Sequence, residues 1–273
     1  MADQRLGDLE GAAQEASRDC YQKYEAMTAA REREAAAKEA LNKAANDAYR
    51  DEYDQKKVRE NQEKLQKARQ ELKEAKEASK AAASAFEESS QAAQAAQDSV
   101  EAKMEELRNS RTTDTSFAVL MARSECNFGS RTSYLALDHT HGVYTKGMYQ
   151  MTVKDMIANT NVINFCTCKS KENPKVIEAA QKVADEANAK INEQKGFRDY
   201  VLDLFVKPKE IEVTDSLLEQ CVGECILELV PGSSWSKGQE KVSINGEAPL
   251  LRRCELTCKY GGRIILLLSG QPE

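Results

Sequence analysis

The chain has 273 residues, with 39 Lys and Arg against 45 Asp and Glu, a net charge of −6 and a pI near 5.3. Its basic residues are interspersed with acidic ones, not gathered into a stripe, so nucleic acid is excluded as an expected partner. No window approaches the roughly 18 consecutive apolar residues of a spanning helix, and "MADQRLGDLEGAAQEAS" lacks the apolar region of a secretory signal, so a soluble, cytoplasmic chain with no membrane partner is expected.

Composition divides the chain. Residues 12–128 contain no Gly and nothing before 174 is Pro, whereas all Cys except Cys20 lie from residue 126 on. An uninterrupted helical part, 1–112, is therefore expected ahead of a turn-rich part, 113–273. From Leu6 to Leu107 the residues are mostly Ala, Glu, Lys and Gln, which lose least on entering a helix. One heptad frame holds throughout, from Leu9, Ala16 and Ala30 to Leu65, Leu72, Phe86, Ala93, Val100 and Leu107. Its companion changes, from Leu6, Ala13, Cys20 and Met27 before residue 50 to Ala68, Ala75, Ala82 and Ala96 after it. The swing near "AYRDEYDQKK" fits a single long helix with an irregularity or a hairpin of two helices, and the small Ala-rich seam favours the hairpin. Such an arm serves as a solvated spacer or as a grip for a partner's helices.

After "RNSRTTDTS" the period changes to alternation, with Thr132, Tyr134 and Ala136 opposed to Ser133, Leu135 and Leu137. "NPKVIEAAQKVADEANAKINEQ" predicts a helix begun at Asn173-Pro174 and stopped near Gly196. Asn245-Gly246 in "KVSINGEAPLL" predicts a type I′ hairpin, and "RIILLL" is apolar on both faces and should be buried. The expected fold class is α+β: a long N-terminal α-helical coiled-coil hairpin, then a small β-rich domain with a helical insertion at about 174–220. "ECNFGSRTSYLAL" and "TCKYGGRIILLL" echo one another, and so do the segments beginning Lys146-Gly147 and Lys237-Gly238, each ending in Thr-Cys-Lys. A duplicated or pseudo-symmetric unit is one reading, and chance likeness between hairpins is the other.

"CNFG" at 126–129, "FCTCKSKENP" at 165–174, "VPGSSW" at 230–235 and "CKYGG" at 258–262 follow one another in an order that resembles the PAAR-like spike-tip family. Each motif alone is weak; four in order over residues 116–271 are fairly specific. The resemblance places the family's cysteines on Cys126, Cys168, Cys221 and Cys258, the third because it lies ten residues before Pro231. It departs from the family pattern at Asn127, at Cys166 where Gly is usual, at Tyr260 and in the length of the insertion. It implies a β-rich cone that caps the trimeric spike of a contractile injection machine such as a type VI secretion system, one copy per spike. Such a tip is exported when the machine fires and has no enzymatic reaction. No toxin is expected after the cone, so the expectation is that any effector or adaptor binds non-covalently, on residues 1–112 or on the insertion.

A small β-rich unit buries little core and gains much from a metal, so Zn²⁺ is an expected cofactor. The pairs 166/168, 221/225 and 254/258, with Cys126 and His139-x-His141, offer more ligands than four, and the resemblance implies Cys126, Cys168, Cys221 and Cys258 as the set. Ordinary buried thiols and disulfides formed after export are the alternatives. None of the cysteine pairs has Cys-x-x-Cys spacing, and His139-x-His141 reads as exposed or structural. Two other functions compete: a coiled-coil adaptor with a docking β-domain, and a thiol redox protein built on Cys166-Thr167-Cys168 with Lys169 and Lys171 beside it. No Ser/His/Asp set, phosphate loop or His-Glu-x-x-His helix is present in the sequence.

Overall fold

The computed structural model describes residues 2–50, 55–193 and 211–272. It divides into two compact units, 1–104 and 105–273.

The first unit contains α1, Ala2–Arg50, and most of α2, Gln55–Ser110. The rings of Tyr24 and Phe86 meet with centroids 5.6 Å apart, and Asn61 Nδ2 donates to the carbonyl of Asp47 at 3.2 Å. In one unbroken helix Tyr24 and Phe86 would stand roughly 93 Å apart. The arm is therefore the antiparallel hairpin. Met27, Ala68 and Ala93 are buried at the predicted seam positions. Asn61, Ser79 and Ser89 are buried too, at heptad positions where the apolar pattern skips a beat. Small polar residues continue the seam there, and Ser89 donates its hydroxyl to the Phe86 carbonyl at 2.9 Å, which satisfies it.

The second unit starts inside α2, before the predicted boundary at 112. Leu107, Arg108, Ser110 and Arg111 are the reason, because each bonds to a residue of the β-rich part. A 3₁₀ turn at Arg111–Thr113 ends the helix. Short strands follow: β1 Arg123–Cys126, β2 Ser133–Tyr134, β3 Tyr144–Thr145, β4 Met148–Tyr149 and β5 Thr167–Cys168. Helices α3, Pro174–Glu193, and α4, Asp215–Gln220, precede β6 Gly223–Glu224, β7 Glu255–Thr257 and β8 Arg263–Leu268. The largest sheet is antiparallel with order β2-β1-β8-β7. "RIILLL" lies between two neighbours and its five apolar residues are buried, as its composition predicts.

Local chemistry explains the rest. Asn173 accepts from the Lys175 amide at 2.9 Å, which caps α3 with Pro174 in its first position. The predicted end near Gly196 lies outside the described residues. Asn245 and Gly246 both take positive φ, 52° and 92°, between Ile244 and Glu247, which exchange backbone bonds as a type I′ hairpin requires. The alternation at 132–137 survives in burial more than in pairing: Ser133 and Leu135 point inward and Tyr134 outward, yet only Ser133–Tyr134 forms a ladder. Lys146-Gly147 forms the β3–β4 turn, and its structural counterpart is Asn245-Gly246, not Lys237-Gly238. Beyond these two turns, residues around Thr152 and Pro249 pair with each other directly. Among the described residues no helix is long and apolar enough to cross a membrane.

Candidate functional site

Four stretches that lie far apart in sequence converge in the second unit. β1 pairs with β8, which places Cys126 opposite Ile264. The Asn127 amide donates to the Arg263 carbonyl at 3.2 Å, and Arg263 returns a bond to Asn127 Oδ1 at 2.7 Å. Gly129 bridges Cys168, and the Lys169 amide donates to the Phe128 carbonyl at 3.0 Å. Ser170, nearly fully buried, donates its hydroxyl to the Tyr260 carbonyl at 2.6 Å. Finally Leu229 bridges Cys258, with the Lys259 amide on the Glu228 carbonyl at 2.7 Å, next to the "VPGSSW" run. Trp235 at the end of that run is buried in the main core and donates Nε1 to the Asp155 carbonyl at 3.0 Å.

Close backbone approach is what permits this convergence. A Cβ on Gly262 would lie 2.8 Å from Cys126 Sγ and 3.3 Å from Cys258 Cβ. Both cysteines of the doubled phrase therefore flank one glycine that has no room for a side chain.

The cysteines sort into groups. Burial, with the neighbouring Cys258 and Cys168 thiols adding to it, pushes the Cys126 thiol up to about 11 against the opposing backbone hydrogen bonds of Phe128 and Gly129. Cys225 is likewise pushed up, by burial first and then by Cys168, Cys258 and Cys166. Cys126, Cys168, Cys225 and Cys258, with Cys166 beside Cys225, thus lie in one neighbourhood of thiols. Cys221, the residue assigned from spacing, sits elsewhere: it packs under α3 against Val176 and Ala180. Cys254 belongs to the main core, where its sulfur accepts from the Leu251 amide at 3.3 Å. Among the described residues no group of three or more His, Cys, Asp or Glu side chains is set to hold a metal ion.

The helical insertion grows from the rim of this neighbourhood. β5 and β6 pair with each other, Thr167 with Glu224 and Cys168 with Gly223, so the chain leaves at 168 and returns at 223 to the same place. Asn173 Nδ2 donates to the Glu224 carbonyl at 3.0 Å, and Gly223 lies against the Lys175 backbone, where a Cβ would come within 2.4 Å.

The family comparison covers this same stretch. DUF4280, described as a domain of unknown function, matches residues 119–271, more than half of the chain. The chain belongs to the DUF4280 family. The DUF4280 match begins after the helical arm and contains all four converging motifs. No curated protein and no solved structure matches the chain.

The histidine pair lies outside the thiol neighbourhood. His141 Nε2 bonds to Asp155 Oδ2 at 2.8 Å, and Asp155 in turn accepts from the Thr152 amide at 2.6 Å. His141 is thereby a structural tie of its loop, whereas His139 is mostly exposed beside Asp138. Both border a cleft of about 260 Å³ with Asn161, Asn245 and Glu247.

Sequence reasoning missed three residues that hold the DUF4280 domain together. Arg111 is 1% exposed and bonds to Glu255 and to the Arg253 carbonyl. Glu255 also receives Lys237 and Arg263. Arg252, buried as well, contacts four acceptors at once. The signal was present: two arginines directly after the apolar "PLL" and before a buried cysteine are out of place on a surface strand.

Proposed function

We propose that the DUF4280 domain caps the trimeric spike of a contractile injection machine of the type VI kind, one copy per spike. The helical arm recruits a separately encoded effector or adaptor. The observation that carries this reading is the convergence of the four stretches that resemble the PAAR-like spike-tip family. Residues 126–129 bond through their backbones to 165–170 and residues 228–235 to 258–262, the Ser170 hydroxyl ties the second stretch to the Tyr260 carbonyl, and the first strand of the sheet pairs with the last. Pairing of the first strand with the last suits a part that is pushed, because load passes through hydrogen-bonded strands. The role is mechanical and recruiting, the protein being cytoplasmic until it is exported with the machine.

In this reading the thiolates of Cys126, Cys168 and Cys258 would hold Zn²⁺, with Cys225 as the fourth donor in place of Cys221. The metal would supply a cross-link between segments that the hairpins alone leave separate. The deciding experiment is co-purification of the full chain with a trimeric spike protein encoded beside it. A folded chain that never associates with such a trimer would overturn the proposal and leave the adaptor reading.

A further inference from the structure

We propose that Cys166 and Cys225 are an oxidisable pair that closes, by a reversible cross-strand disulfide, the neck from which the helical insertion emerges. The register fixes the pairing. Thr167 faces Glu224 and Cys168 faces Gly223, so the next step outward puts Cys166 directly opposite Cys225. The Cys225 amide donates to the Cys166 carbonyl at 2.9 Å, which confirms that step. The Cys166 amide turns instead to Asn164 Oδ1 at 3.2 Å, so one backbone bond, not two, joins the facing residues. Even one such bond holds the two backbones close enough for their Cα atoms to lie in the range of roughly 4.4–6.8 Å that a disulfide spans.

Access singles out Cys166, the exposed thiol among the described cysteines. Cys225 is half-buried, as are Cys20 and Cys126, whereas Cys168, Cys221, Cys254 and Cys258 are buried, so it is the register that selects Cys225 as the partner. An oxidant in solution therefore reaches Cys166 without any opening of the core. Cys166 also holds a left-handed backbone, φ 69°, which a residue with a side chain adopts at a cost. The bond would join positions on either side of the insertion and turn a hydrogen-bonded neck into a covalent one.

The chemistry balances with a small-molecule disulfide such as oxidised glutathione. The Cys166 thiolate attacks one sulfur of the oxidant, breaks its S–S bond and releases one glutathione thiolate, leaving a mixed disulfide. The Cys225 thiolate then attacks Cys166 Sγ and releases the second glutathione. Two electrons pass from the protein pair to the oxidant, and the two protein protons end on the two released thiols. A Cys225 engaged in this bond cannot ligate a metal, so the inference is tested on chelated protein and stands or falls independently of zinc.

The test uses the full chain, reduced and chelated, then incubated with oxidised glutathione, alkylated and mapped without reduction by mass spectrometry. The expected result is a Cys166–Cys225 link that dithiothreitol removes, with a higher melting temperature for the oxidised than for the reduced chain. Cys166→Gly, which suits the positive φ, should fold, lose the link and show no difference between the two conditions. Cys168→Ser and Cys221→Ser should keep the link. Alkylated, unlinked Cys166 and Cys225 in the wild type, or a link that moves to Cys168 or Cys221, would overturn the inference.

Discussion

The Arg252 guanidinium donates from Nη2 to the carbonyl of Leu107 at 2.9 Å, and so closes the last turn of α2 with a side chain from a distant loop. The same group reaches Ser110 Oγ at 3.1 Å, Asp114 Oδ2 at 2.6 Å and the Leu267 carbonyl at 2.8 Å. A helix end leaves carbonyls without partners, and a cation there satisfies both the hydrogen bonds and the helix dipole.

Arg252→Met should therefore destabilise the second unit by about 3 kcal/mol, since it leaves buried acceptors and the Asp114 carboxylate unpaired. Arg252→Lys should recover only part of this, because one ammonium cannot follow the planar fork to four acceptors. Urea unfolding of the full chain measures both. A loss within 0.5 kcal/mol for the Met variant would refute the capping role.

Glu255 gives the domain an acid-sensitive joint. Burial alone would raise its carboxyl, but Arg111, Lys237 and Arg263 overcome that and hold it at about 2 against an ordinary 4.5. A carboxyl depressed in the folded state stabilises above its unfolded pKa, and the gain is lost as the pH falls from about 4.5 toward 2. Glu255→Gln should thus cost most at pH 7 and progressively less below pH 4.5. Thermal melts of both proteins at pH 7, 4 and 2.5 check the trend, and a gap that stays constant would rule out the ion-pair explanation.

Much of this architecture can be read in the sequence where local chemistry decides. Heptad spacing placed the arm, Asn173-Pro174 began a helix, Asn245-Gly246 made a turn and the unbroken "RIILLL" became the buried central strand. The short motifs around Cys126, Cys168 and Cys258 bring those three residues into one region of the fold. What spacing does not give is register across a long insertion. Counting back from Pro231 selects Cys221, yet the β5–β6 pairing presents Cys225 to the other thiols and turns Cys221 toward α3. Nor could spacing show that Arg252 reaches back to the end of α2 or that Arg111 bonds forward to Glu255, since both contacts exist only after the chain has closed.

That difference makes the metal reading testable residue by residue. The purified chain should carry about one zinc per molecule, and Cys126→Ser, Cys168→Ser, Cys225→Ser and Cys258→Ser should each lower that content. Cys221→Ser should leave it unchanged while softening the packing under α3. Elemental analysis alongside circular dichroism separates loss of metal from loss of fold. Zinc retained by Cys225→Ser but lost by Cys221→Ser would restore the assignment made from spacing, and a zinc-free wild type would remove the metal from the proposal.

The position at which the arm is cut provides the last test. Removing residues 1–104 leaves Leu107, Ser110 and Arg111 with the second unit, whereas removing 1–112 takes away two acceptors of Arg252 and the buried partner of Glu255. The shorter deletion should keep the domain folded and able to cap a spike, but unable to deliver a cargo that depends on the arm. The longer deletion should melt about 10 °C lower, as the loss of a few kcal/mol implies for a domain of this size. Equal melting temperatures would mean that the end of α2 contributes nothing to the domain. Undiminished delivery after the shorter deletion would move the cargo site from the arm to the insertion.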